Sequence, residues 1–166
     1  MNDLYQQLFL NISNKQKLFE LLDNGVKPDT IILNSYLDTC SIYNKDKCDM
    51  NITKKLIDNG AKVELNSVYS AALRLGNDID HFNYIFDNYK RNKEDDENIL
   101  EIACFTNDEY KYNLVKNLLD RYKIKPSDRT LLKCVKHHNQ IRNIELKEKE
   151  IQFNDYFYNI YKKYNK

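Results

Sequence analysis

A chain of 166 residues with 42% hydrophobic and 31% charged residues has material for one globular core and lacks the profile of a disordered chain. Its formal net charge of +1, with both signs interspersed, gives no basic stripe of the kind a nucleic-acid binder carries. Three glycines and two prolines are too few for an all-β fold with many tight turns, and no apolar run approaches a membrane span.

Met1 to Leu10 lacks the basic start and apolar core of an export signal. Leu18, Leu21 and Leu22 form an amphipathic run that closes on LLDNG, residues 21 to 25. The nearly identical LIDNG closes the run of Ile52, Leu56 and Ile57. Gly25 and Gly60 stand 60 − 25 = 35 residues apart, a distance that suits a repeating supersecondary unit. Weaker copies follow at Ile85-Phe86-Asp87-Asn88-Tyr89 and at Leu118-Leu119-Asp120-Arg121-Tyr122. Glycine in the first two copies suits a left-handed helix end; Tyr89 and Tyr122 take that place in the later two.

A second helical stretch follows each of these endings. The four stretches begin at Leu33, Val68, Ile99 and Leu131. Val68, Ala71, Ala72 and Leu75 show the three- and four-residue intervals of one buried helix face; Ile99, Ile102 and Ala103, and then Leu131, Cys134 and Val135, repeat them. Ser67 and Ser127-Asp128 stand as candidate N-caps. Ser41 to Met50 and Lys90 to Glu97 interrupt the spacing, as solvated insertions or as recognition loops on a rigid scaffold. The last segment, Ile151 to Tyr164, places Phe153, Tyr156, Phe157, Ile160, Tyr161 and Tyr164 on one helical face, which suits a terminal cap. The sequence thus predicts an all-α fold in one domain: stacked helix-turn-helix units over about 14–139, then a capping helix over about 149–164.

The residues for chemistry are sparse. The four cysteines, at 40, 48, 104 and 134, have no paired spacing, so reduced thiols in a cytosol-like, intracellular compartment are expected. Cys134 and His137 could supply half of a zinc site, but no second pair accompanies them. Glu94 to Glu97 lacks the spacing of a calcium loop, and no phosphate loop or nucleophile motif is present. The expectation is a protein that is not an enzyme, with no catalytic residues, cofactor or metal.

The order LxxLLDNGxxxD, then NSVYSAALRLGN, then an amphipathic helix ending IFDN resembles an ankyrin repeat. Ser67 to Gly76 lies over that family's helix-opening stretch, as do Asn98 to Cys104 and Thr130 to Val135 in later copies. No copy keeps the family's proline or histidine, so helix pairs with irregular loops are expected in place of regular fingers. The style is similar to divergent ankyrin proteins of large DNA viruses. The resemblance implies a short α-solenoid that binds a partner protein on its concave face, without membrane contact and as a monomer. It implies Asp38, Arg74, Phe105 and His137 as exposed groove positions, with Tyr36 and Tyr69 nearby. Leu18 to Cys40 also resembles a pentatricopeptide repeat, whose implied activity is binding single-stranded RNA. The uneven later steps and the missing basic surface weigh against that alternative.

Overall fold

Short apolar stripes, several of them opened by a capping side chain, make this chain helical. The computed structural model describes residues 3–40, 48–75, 78–105, 108–127, 129–130 and 159. Among them are eight helices and no strand: α1 (Asp3–Leu10), α2 (Lys15–Asp23), α3 (Thr30–Thr39), α4 (Met50–Asp58), α5 (Leu65–Arg74), α6 (Ile79–Asp87), α7 (Lys93–Phe105) and α8 (Asp108–Asp120). The expected capping helix over 149–164 lies outside the described residues. The chain divides into two compact units, Met1–Lys90 and Arg91–Lys166.

Side-chain oxygens satisfy the first free backbone N–H groups of several helices. Asn14, Asp29, Asp49 and Asp78 accept from Lys17, Ile32, Asn51 and Asp78's neighbour three residues on, His81. The N-cap of α5 is Glu64 and not Ser67. Ser67 stands three residues inside and its Oγ accepts the Glu64 N–H at 3.2 Å, the returning half of a capping box. Ser127 does cap: its Oγ accepts the Thr130 N–H at 3.2 Å.

In the first unit, helices pair in sequence as α1–α2, α3–α4 and α5–α6. Alternate helices also meet, with α3 against both α1 and α5, and α2 against α4. Ile32, Leu33, Tyr36 and Leu37 of α3 are buried, as are Val68, Ala71 and Ala72 of α5. The two alanines keep that face of α5 short. Two polar bonds tie the same helices: Ser67 Oγ to Asn34 Oδ1 at 2.6 Å and Ser70 Oγ to Asp38 Oδ1 at 2.9 Å. α1, which the sequence reading leaves out, buries Leu8 and ties its Tyr5 hydroxyl to Asp29 at 2.8 Å.

In the second unit, α7 packs on α8; Ile99, Leu100 and Ala103 of α7 and Leu114, Val115 and Leu118 of α8 are buried. Lys90 to Glu97 is not the loop expected of it. Asn92 Oδ1 accepts the Asp95 N–H at 2.9 Å, and α7 starts at Lys93. Carboxylates at Glu94, Asp95 and Asp96 then sit in the first turn, where the helix dipole favours negative charge.

The reduced-thiol expectation is corrected. Cys40 at the C-cap of α3 is bonded to Cys48 just before α4, with Cα atoms 4.9 Å apart, and Cys104 is also disulfide-bonded. A spacing of eight residues signals nothing by itself; the α3–α4 pairing is what brings the two thiols together. Closing so short a loop restricts the unfolded chain by about 2–3 kcal/mol.

Candidate partner-binding face

The outer side of the α3–α5 pair is the most developed surface on which the expected contact residues fall. On α3, positions 31, 34 and 38 share a face at helical spacing. Ile31 is 60% exposed, and Asp38 is exposed with its carboxylate accepting from Ser70. On α5, Arg74 is exposed and Leu73 is 41% exposed. Arg74 lies in the last turn, where a cation suits the carbonyl end of the helix. Tyr69 is half-buried. The face therefore offers a cation, a carboxylate and two exposed aliphatic side chains on helices fixed from behind.

Tyr36 does not join it. The ring is 1% exposed, and its hydroxyl accepts the Asp49 N–H at 2.7 Å. Burial pushes the phenol up to about 12. Tyr36 holds the start of α4 and has no surface to offer a partner. Phe105 is half exposed at the end of α7, in the second unit. His137 lies outside the described residues. Of the six expected positions, Asp38, Tyr69 and Arg74 lie on the packed α3–α5 pair. Ile31 and Leu73 were missed, although Leu73 stands off the Val68, Ala71, Ala72 and Leu75 stripe and spacing could have marked it.

No known protein decides between readings: no family model, curated protein or solved structure matches this chain.

His81 is fully buried, with Nε2 2.8 Å from Thr53 Oγ1. Its Nδ1 has no hydrogen-bond partner, and the nearest Asp78 carboxylate oxygen is 3.9 Å away. Burial holds the imidazole below its ordinary value of 6.5, against the opposing pull of Asp78 and Asp49. With no exposed nitrogen, the ring has no route to a substrate. Among the described residues, no three His, Cys, Asp or Glu side chains converge as metal ligands, and no helix is long and apolar enough to cross a membrane.

Proposed function

We propose that this chain is a non-catalytic scaffold that holds a partner protein against the exposed side of its α3–α5 pair, in an ankyrin-like stack of helical hairpins. The observation that carries the reading is the exposed set of Ile31, Asp38, Leu73 and Arg74 on helices whose other sides are buried. Rigid helices spend little entropy on ordering when a partner docks. Arginine is among the residues enriched at interface centres. Packing of alternate helices supports the stack, because each hairpin then covers the apolar side of the next. Oxidised cysteines suit surroundings less reducing than the cytoplasm expected from sequence.

The test is site-directed photocrosslinking in the native cell, with the reactive group at position 73 or 74 and, as control, at 17 on α2. A discrete crosslinked protein from 73 and 74, lost in the Asp38→Ala/Arg74→Ala variant at unchanged helical signal, is expected. Equal products from all three positions, or products indifferent to the double substitution, would remove the face from consideration.

A further inference from the structure

The loops that follow α2, α4 and α8 share one short pattern. A residue with positive φ precedes a buried apolar residue, and an exposed lysine comes next: Gly25-Val26-Lys27, Gly60-Ala61-Lys62 and Lys123-Ile124-Lys125. The buried member pins each loop, and the lysine after it is left in solvent. In the second unit the loop meets the start of α7, and together they border a hollow of about 530 Å³.

Charge distinguishes this hollow. Arg91, Lys93, Lys123 and Lys125 line it, against Asp96 and Glu97. Arg91 and Asp96 are committed to each other: Nε and Nη2 donate to the two carboxylate oxygens at 2.6 Å each, and Nη1 donates to the Tyr122 carbonyl at 2.8 Å. What remains, among the described residues, is three exposed ammonium groups and one carboxylate. Lys123 occupies a left-handed position, φ 55°, where the two earlier copies use glycine. A lysine there is strained where glycine is not, and it adds a cation beside Lys125. The matching place in the first unit, where Leu4 and Tyr5 of α1 meet residues 24–27, is a hollow of about 490 Å³ with Lys27 as its one cation among the described residues.

We propose that the hollow between the start of α7 and the loop after α8 receives an acidic stretch of a partner polypeptide. Lys93, Lys123 and Lys125 take its carboxylates, and Glu97 accepts a main-chain N–H. The mixed lining favours a peptide over a nucleic acid. A phosphodiester strand brings acceptors only and would meet Glu97 and the acidic first turn of α7 with like charge. A peptide brings N–H donors along with its carboxylates. The site involves none of the α3–α5 residues, so the two proposals stand or fall separately.

Fluorescence anisotropy of the full chain with a fluorescein-labelled glutamate decapeptide tests this at low and moderate salt. Wild type is expected to bind, more weakly as salt rises. Lys93→Gln/Lys123→Gly/Lys125→Gln should weaken binding about tenfold or more, and the charge-matched Lys17→Gln/Lys27→Gln/Lys54→Gln should leave it nearly unchanged. Should the first triple lose helical signal, Lys93→Gln alone, exposed on the first residue of α7, must weaken binding about threefold. No binding by wild type, or equal loss in both triples, overturns the site. Tighter binding of labelled dodecauridylate, lost in the same first triple, overturns the peptide in favour of RNA.

Discussion

The turn that ends α2 and the turn that ends α8 reach a similar backbone shape with different residues. After α2, Gly25 takes φ 79° and the Val26 N–H returns to the Leu21 carbonyl at 3.1 Å. The turn after α4 is alike, with Gly60 at φ 118° and the Ala61 N–H on Leu56 at 3.0 Å. After α8 the chain spends one residue more. Tyr122 does not take the glycine's part; Lys123 does, at φ 55°, and the Ile124 N–H returns to Leu118 at 3.2 Å. The third copy, at Asn88-Tyr89, has no positive φ. What the first, second and fourth turns share is the buried apolar residue after the left-handed one. That residue defines the turn, and glycine lowers its strain.

Removing the shared residue should have the largest effect. Ile124→Ala is expected to destabilise by about 3 kcal/mol, read from the urea midpoint, because Ile124 is 1% exposed. Val26→Ala should lose less, since it deletes fewer methyl groups and Ala61 already serves in the second turn. A loss under about 1 kcal/mol for Ile124→Ala would show that the anchor is not what holds the turn.

Adding strain comes next. Gly25→Ala is expected to cost about 1–2 kcal/mol from its φ alone, because a Cβ there meets nothing within 4 Å. The reverse substitution sharpens the comparison: Lys123→Gly should stabilise by about 0.5–1 kcal/mol, the relief of strain being partly offset by the freer unfolded chain. Thermal melts of the two variants should therefore move in opposite directions.

The smallest expected effect separates the units by pH. His81 in the first unit has a folded-state value held below 6.5 by burial, so the unfolded chain binds more protons between the two values. Its contribution is fully present above 6.5 and is lost as pH falls toward the folded value. Melting temperature should drop between pH 7.5 and pH 5, and His81→Gln should flatten that slope while Ile124→Ala leaves it unchanged.

Much of this was legible in the chain. Leucine and isoleucine at three- and four-residue steps marked the helices, and the glycines marked two left-handed ends. The burial of Tyr36 was legible too: it continues the stripe of Ile32, Leu33 and Leu37, and Asp38 falls off it. Aromaticity drew it into the contact set, where spacing argued against it. The start of α7 was hidden because a run of charges looks the same in a loop as on an exposed first turn. Deciding needed Asn92 at the N–H of Asp95 and Arg91 on Asp96. Short α1, with Leu8 as its one buried residue, offered too little periodicity to be seen.

By itself the sequence determined much of the local stereochemistry: the runs of the strongly periodic helices, the two ends marked by glycine, and which face of those helices is apolar. Those properties depend on neighbours within a turn or two. Only the tertiary structure decided that Cys40 meets Cys48, that Ser70 meets Asp38, and that Arg91 reaches the Tyr122 carbonyl. Such pairings depend on how helices pack, and a polar or charged side chain looks the same in sequence whether it faces water or a partner thirty residues away.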